Sequence, residues 1–188
     1  MPALTAEDAA ALHTAFVADM IERLQQLPGI DLELHTDILS DAWMEFKVAR
    51  KLQIPGDLGL KMVHSLANAL ASGYERAMIV GTDAPTLPTS YLKGLLQTEA
   101  DVSLGPTDDG GYYAVSAKRT QSGMFDGVAW STANTLVQTE VALAQCGLSA
   151  ERGEPWWDVD EPADLERLRA SSNLPPRTKR LLIRLESA

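Results

Sequence analysis

In the stretch Arg76-Ala77-Met78-Ile79-Val80-Gly81-Thr82-Asp83-Ala84-Pro85, an apolar run is followed by the carboxylate of Asp83. The residues from Ala77 to Val80 predict an apolar strand, and Gly81 and Pro85 predict a tight turn around Asp83. Ligands of open α/β sheets bind beyond the carboxyl ends of the strands. Asp83 is therefore a candidate ligand of a divalent metal or a polar substrate, and a cap of the following helix is the alternative.

The apolar spacing around this stretch predicts alternating helices and strands. Helices are expected at 5–27, 40–50, 57–73, 87–98, 132–146 and 162–169, and strands at 30–36, 77–80, 102–104 and 112–116. This alternation predicts one mixed, mostly parallel sheet with helices on both faces. A single domain is expected over 1–172, followed by a basic, apolar tail over 173–188. The tail is either a short helix docked on the body or on a neighbouring subunit, or a solvated segment.

The composition limits the classes of function. A chain of 188 residues with 45% hydrophobic residues fits one globular domain. Its 16 basic and 26 acidic residues give a net charge of −10, which argues against nucleic-acid binding. No apolar run approaches the ~18 residues of a membrane span. The N-terminus lacks a signal-peptide pattern, so a cytoplasmic protein is expected. The single Cys146 excludes an internal disulfide.

Two glycine-containing segments are candidates for ligand contact. In Gly56-Asp57-Leu58-Gly59, followed by Lys61, the glycines would let a ligand approach the backbone, whereas a plain turn and helix cap is the alternative. In Asp108-Asp109-Gly110-Gly111-Tyr112-Tyr113, the glycines predict a hairpin between two strands. The adjacent aspartates and tyrosines give this hairpin several groups suited to ligand binding, because a tyrosine can stack on a base or sugar and also donate a hydrogen bond.

Two further segments lie near the end of the chain. In Trp130-Ser131-Thr132, a hydroxyl is expected to cap the next helix. In Asp158-Val159-Asp160, both carboxylates face one side of an extended segment, and Asp160 is also a candidate cap of the last helix. If these two carboxylates lie near Asp83, the three would form a hard-oxygen site suited to Mg²⁺ or Mn²⁺.

Several common catalytic patterns are missing from the sequence. It contains no Gly-x-Gly-x-x-Gly, no Walker-type loop and no Cys/His zinc spacing. His13, His35 and His64 fall on separate predicted elements, and the sequence indicates no partner for any of them. All three are interpreted as structural residues.

Five segments, taken in this order, carry a resemblance to a known family. They are Gln53-x-x-Gly56-Asp57-Leu58-Gly59, Gly81-Thr82-Asp83-x-Pro85-x-Leu87, Leu104-Gly105-Pro106-x-x-Asp109-Gly110-Gly111-Tyr112-Tyr113, Trp130-Ser131-Thr132 and Asp158-Val159-Asp160-x-Pro162-x-Asp164-Leu165. Together they resemble a bacterial glycosyltransferase family of the radical-SAM/selenodomain-associated type. That family is similar to 2-phospho-lactate guanylyltransferase and, more distantly, to molybdenum-cofactor nucleotidyltransferases.

The resemblance implies a three-layer α/β/α fold of the GT-A, nucleotide-diphospho-sugar transferase type. It also implies catalytic roles for Asp83 and Asp109, and a Mg²⁺ or Mn²⁺ ion held by Asp83, Asp158 and Asp160. The residues that it implies for donor and substrate binding are Gly56, Asp57, Gly59, Lys61, Gly81, Thr82, Gly110, Gly111, Tyr112, Trp130 and Thr132. The expected function is transfer of a glycosyl or nucleotidyl group from a nucleotide or nucleotide-sugar donor to a small acceptor.

One departure from the family pattern concerns the N-terminus. Family members begin with a strand and a basic loop of the form Lys-x-Pro-x-Pro-Gly-x-Val-Lys-Thr-Arg-Leu, which is expected to hold the phosphates. This sequence begins at Met1-Pro2-Ala3-Leu4, where that loop would end. Either Met1 is an internal methionine of a protein that has the loop, or the protein is short. A short protein would be inactive or would pair with another chain to complete the sheet. The alternative function is therefore a catalytically inactive GT-A-like domain that serves as a binding or assembly module, as a homo-oligomer for example.

Overall fold

The computed structural model of this chain describes residues 4–186. The expected start at Met1 and the last two residues of the tail lie outside this range. The helices are α1 (Ala6–Leu24), α2 (Leu58–Ala71), α3 (Thr89–Gln97), α4 (Thr135–Gln145), α5 (Pro162–Arg169) and α6 (Pro176–Glu186). The strands are β1 (Glu33–Thr36), β2 (Ala49–Leu52), β3 (Ala77–Val80), β4 (Val102–Pro106), β5 (Tyr112–Ala117) and β6 (Ala150–Arg152).

The elements divide into two compact units. The first unit contains the described parts of 1–52 and 158–188 together with 82–87, and the second unit contains 53–81 and 88–157. The chain therefore leaves the second unit directly after Gly81 and returns to it at Pro88. Each unit has its own sheet.

The second unit is built on a four-stranded mixed sheet in the order β3-β5-β4-β6. β5 pairs antiparallel with both β3 and β4, whereas β4 and β6 are parallel. The glycine-rich hairpin predicted from the sequence accounts for the antiparallel β4–β5 pair. Short β6 was not predicted, because its three residues are all exposed and carry no apolar pattern. The core packs Met62 and Leu66 of α2 and Leu143 of α4 with the apolar residues of β4 and β5.

The first unit contains a two-stranded parallel sheet and three helices. Glu33 of β1 aligns with Ala49 of β2, and the Lys51 ammonium lies 2.7 Å from the Glu33 carboxylate. The helix predicted over 40–50 is wrong, because this segment forms turns and then enters β2. Trp43 takes a left-handed φ of 60°, which a helix does not allow, and its indole N–H donates to the Thr14 carbonyl oxygen at 3.0 Å.

The C-terminal segment forms a helix docked on α1, which is one of the two alternatives that the sequence left open. Buried Asp19 of α1 accepts hydrogen bonds from the backbone N–H of Arg177 (3.0 Å) and of Thr178 (2.8 Å). It also accepts one from the Thr178 hydroxyl at 2.7 Å. A carboxylate at a helix N-terminus satisfies orphan N–H groups and complements the helix dipole. Asp19 therefore fastens α6 to α1.

Candidate functional site

Several of the predicted ligand-binding segments meet within the second unit. A Cβ atom on Gly59 would lie 2.9 Å from Cβ of Phe125 and 3.1 Å from Cζ2 of Trp130. Only a glycine therefore lets the first turn of α2 come so close to the loop that holds Trp130. The ring of Tyr112 meets the Trp130 indole edge-on, with a centroid separation of 6.5 Å. The start of α2, the start of β5 and the 125–130 loop thus form one packed cluster.

The start of α2 contributes a helix cap and a cation without an ion-pair partner in the described chain. The Asp57 carboxylate accepts from the backbone N–H of Leu60 at 2.8 Å, so Asp57 is the N-cap of α2. Gly56 precedes it with φ 131°, a conformation that side chains rarely adopt. Lys61, in the first turn of α2, is half-buried and forms no ion pair with any residue between 4 and 186.

The hairpin between β4 and β5 fixes the Asp109 carboxylate. Its Oδ1 accepts from the backbone N–H of Gly111 at 2.9 Å and from the Thr107 hydroxyl. Gly110 has φ 91°, and its carbonyl oxygen accepts from the Leu136 N–H at 2.9 Å. The hairpin therefore packs against the start of α4. Asp109 is exposed, with one carboxylate oxygen committed to the turn and the other directed to no hydrogen-bonding residue in the described chain.

The aromatic and hydroxyl candidates in this unit differ in accessibility. The Tyr112 hydroxyl is buried, and burial raises the pKa of this phenol far above its ordinary value. The half-buried Trp130 lies beside it, so Tyr112 belongs to the wall that supports the indole. Thr132 is exposed, and its hydroxyl donates to the Ala129 carbonyl oxygen at 3.0 Å. Gly81 belongs to the sheet, because its N–H donates to the Tyr113 carbonyl oxygen at 2.8 Å.

The first unit holds Thr82 and the three aspartates that the sequence proposed as metal ligands. The Asp83 carbonyl oxygen accepts from the Val159 N–H at 2.9 Å, so the 82–87 segment runs beside the 158–160 segment. The Asp83 side chain is half-buried, and within the described chain it forms no hydrogen bond or ion pair. A half-buried carboxylate whose oxygens accept no hydrogen bond from the described residues is available to a ligand.

Asp158 and Asp160 lie on one side of their extended segment, as the alternation predicts. A carboxylate oxygen of Asp158 lies within 4.8 Å of a carboxylate oxygen of Asp160. Asp83 is not part of this acidic cluster. The prediction that Asp160 caps the last helix is wrong, because the N-cap of α5 is Glu161. The Asp164 carboxylate accepts from the N–H of Glu161 at 2.9 Å, which completes a capping box. Asp160 is therefore not used as the cap.

The sequence did not identify His13 as part of this region. His13 Nε2 lies 3.0 Å from the Thr82 hydroxyl oxygen, and its ring meets the Trp43 indole edge-on at 6.4 Å. The imidazole therefore contacts the residue that directly precedes Asp83 in the sequence. The two residues are far apart in the chain, and the only signal in the sequence was the place of His13 on the polar side of an amphipathic helix.

No helix in the described part of the chain combines the length and the apolar character needed to cross a lipid bilayer.

Comparison with known proteins places the chain in a structural class. The fold is similar to the crystal structure of a "putative nucleotide-diphospho-sugar transferase" from Desulfovibrio desulfuricans G20, with a TM-score of 0.84 and 28% sequence identity. The similarity covers 96% of this chain and 84% of that one. It confirms the predicted mixed α/β fold of the nucleotide-diphospho-sugar transferase type.

The other comparisons concern sequence. None of the curated proteins matches this chain. Residues 20–132 match the family model "Uncharacterized protein conserved in bacteria (DUF2064)". That match spans more than half of the sequence, and the chain belongs to the DUF2064 family.

Proposed function

We propose that this protein transfers a glycosyl or nucleotidyl group from a nucleotide-activated donor to a small acceptor, with Mg²⁺ or Mn²⁺ as cofactor. One observation carries the proposal most directly. The half-buried, unpaired Asp83 lies on a segment hydrogen-bonded to the one that contains Asp158 and Asp160. The kinship with radical-SAM-associated transferases and 2-phospho-lactate guanylyltransferase is part of the same proposal.

The aspartates of the first unit fit a divalent metal by their chemistry. Asp158 and Asp160 offer two hard oxygen donors within 4.8 Å of each other, and Mg²⁺ and Mn²⁺ prefer carboxylate and water oxygens. When bound there, the ion would neutralise charge on the donor phosphates. Asp83 is assigned to the same group as a ligand or as an acceptor of hydrogen bonds from metal-bound water.

The second unit supplies groups suited to the acceptor and the donor. We assign Asp109 to the acceptor, because the hairpin fixes one oxygen of its carboxylate and leaves the other able to accept a proton or hydrogen bond. Lys61 is a cation without an ion-pair partner in the described residues, and it is assigned to an anionic group of the donor. The backbone around Gly56 and Gly110, together with Thr132, is assigned to substrate contact.

The charge of the protein makes a cofactor metal necessary in this proposal. A chain with a net charge of −10 repels a nucleotide diphosphate at long range. Two or three aspartates at the site add to that repulsion unless a divalent cation neutralises them. Donor binding is therefore expected to require the metal, and the metal to bind more tightly when the donor is present, since such coupling is reciprocal.

Thermal unfolding with Mn²⁺ and a panel of nucleotide diphosphates, triphosphates and nucleotide-sugars tests the proposal. A ligand at about 100 times its Kd stabilises the folded state by roughly 2.7 kcal/mol, which for a chain of this size raises Tm by about 5–10 °C. Neither Mn²⁺ nor the nucleotide alone is expected to give the full shift.

Matched variants locate the binding. Asp83→Asn and Asp158→Asn are expected to remove most of the combined shift, and Asp37→Asn, an exposed position with the same change in charge, is expected to retain it. If no member of the panel raises Tm with either metal, the transferase assignment fails. If the nucleotide shifts Tm equally in all three variants, the donor binds elsewhere.

A further inference from the structure

A groove lies between α1 and α6 in the first unit, and none of the residues assigned above lines it. Its volume is about 450 Å³. On α1 its floor is a row of small residues at helical spacing, formed by Ala11, Thr14, Ala15 and Ala18. On α6 its wall is formed by Arg177, Arg180 and Arg184, with Leu181 at the base.

The two helices present matching faces to this groove. The residues on α1 recur at i, i+3, i+4 and i+7, and those on α6 follow the same spacing from Arg177. Residues at this spacing lie along one face of a helix over two turns, or about 10 Å. The cap that Asp19 provides to α6 fixes the two faces side by side. The groove is therefore an open depression between the two helices, with small side chains on its α1 side.

The arginines of the wall differ in their partners. Arg177 donates from Nε and Nη2 to Glu22 at 3.1 and 2.8 Å, and its Nη1 lies 3.5 Å from the Glu45 carboxylate. Arg180 and Arg184 are exposed, and neither has a hydrogen-bond or ion-pair partner between residues 4 and 186. Two unpaired guanidinium groups one helical turn apart are notable in a chain with a net charge of −10.

We propose that the α1–α6 groove binds an amphipathic acidic helix of a partner protein. The small side chains of α1 let a third helix approach closely, as packing distances of 8–10 Å depend on the side chains at the contact. A partner helix that lays an apolar stripe on Ala11, Ala15 and Leu181 would carry two carboxylates, one turn apart, opposite Arg180 and Arg184.

The shape and charge of the groove favour a helix over a compact anion. Sites for small molecules enclose most of their ligand, whereas this groove is open along its length. Glu45 also lines it and lies beside Arg177, so the positive charge without a partner is on the side of Arg180 and Arg184. A helix spreads its carboxylates along the arginine side and keeps its apolar face toward the alanine floor.

Fluorescence anisotropy with a labelled helical peptide tests this inference on the full chain. The peptide carries glutamates one turn apart beside a stripe of alanine and leucine, and a matched peptide has glutamine in place of each glutamate. The acidic peptide is expected to bind at least tenfold more tightly than the glutamine peptide at low salt. Binding is also expected to weaken as salt is raised, because exposed charge pairs are screened.

Variants on α6 and α1 give the controls. The double substitution Arg180→Ala with Arg184→Ala is expected to weaken binding at least tenfold, and Ala15→Trp, which fills the floor, to weaken it similarly. Lys179→Ala removes a charge from the exposed side of the same helix and is expected to change binding less than twofold. Circular dichroism melting verifies that each variant is folded.

Three results would overturn the inference. The first is no binding of the acidic peptide to the wild-type chain at about millimolar concentration, the weak limit of a specific contact. The second is an equal loss for Lys179→Ala and the arginine pair. The third combines two observations: inorganic pyrophosphate binds in a way that depends on Arg180 and Arg184, and peptides with and without the apolar stripe bind with equal affinity. That result would show that the groove is a site for small anions.

Discussion

Gly110 lies in the hairpin of the second unit at a position that leaves no room for a side chain. It has φ 91°, and a Cβ atom there would lie 2.2 Å from the carbonyl oxygen of Ala133. Gly110→Ala is therefore expected to destabilise the fold by roughly 2–4 kcal/mol, since it adds a backbone clash to the cost of a left-handed conformation. The midpoint of urea unfolding measures this loss.

Gly73 provides a matched control for that prediction. It has φ 97° but nothing within 4 Å of the Cβ position. Gly73→Ala is expected to cost only about 1 kcal/mol, because only the conformational penalty applies. Equal losses at the two positions would show that the contact with Ala133 contributes nothing.

Individual site residues were predictable from sequence where the signal is local. The cap role of Asp57, offered as an alternative, and the hairpin at Gly110 both follow from the neighbouring residues. The contact between His13 and Thr82 depends on how α1 packs, and no pattern in the sequence indicates it. The predicted N-cap of α5, Asp160, is one residue too early, because Glu161 and Asp164 form the capping box of this helix.

Among the elements, α6 is capped by one buried carboxylate, that of Asp19. Asp19→Ala leaves two backbone N–H groups and the Thr178 hydroxyl without their acceptor, which is expected to cost about 3 kcal/mol. Hydrogen exchange of the α6 amides is expected to increase by more than that of α2. Glu22→Ala removes only a partly exposed ion pair with Arg177 and is expected to cost less than about 1 kcal/mol. Unchanged protection of α6 in Asp19→Ala would contradict this account of its docking.

The pairing of β4 with β6 is expected to depend on pH through Asp101. Its carboxylate accepts from the backbone N–H of Ser149 at 3.0 Å and from the Ser149 hydroxyl at 2.9 Å. The backbone hydrogen bond is the main cause that lowers the pKa of Asp101 below its ordinary value, and Arg119 contributes less. A lowered pKa in the folded state stabilises the protein above the unfolded pKa of about 3.9, and that stability is lost as pH falls through the folded value.

Asp101→Asn tests this dependence. The variant is expected to be less stable than wild type at pH 7, and the difference is expected to shrink as pH falls below about 4. Denaturant unfolding at a series of pH values measures it. A difference that stays constant down to pH 2 would show that the ionised carboxylate is not the stabilising species.

The elements that could be predicted from sequence are those with a strong apolar period. The helices α1, α2 and α3 and the strand β3 lie within a few residues of their predicted bounds. The segment 40–50 was misassigned because β2 is held by pairing with β1, a long-range contact that overrides local propensity. The docking of the tail as a helix involves Asp19, which is more than 150 residues away in sequence.

At the scale of the molecule, the order of the motifs predicted the fold better than any single motif. The five segments led to a nucleotide-diphospho-sugar transferase fold, and the structural neighbour confirms that class. The structure distributes these segments over two compact units, which the sequence did not indicate. Local patterns specify elements, but the division of a chain into units depends on contacts between distant segments, which such patterns do not encode.

The most direct test of the central claim is a crystal structure of this chain with Mn²⁺ and the nucleotide that gives the largest increase in Tm. We expect an anomalous Mn²⁺ peak on the carboxylates of Asp158 and Asp160, at about 2.2 Å from their oxygens, with Asp83 bound directly or through water and donor phosphate on the ion. A bound nucleotide with no metal at these aspartates, or Mn²⁺ bound only to other carboxylates, would contradict it.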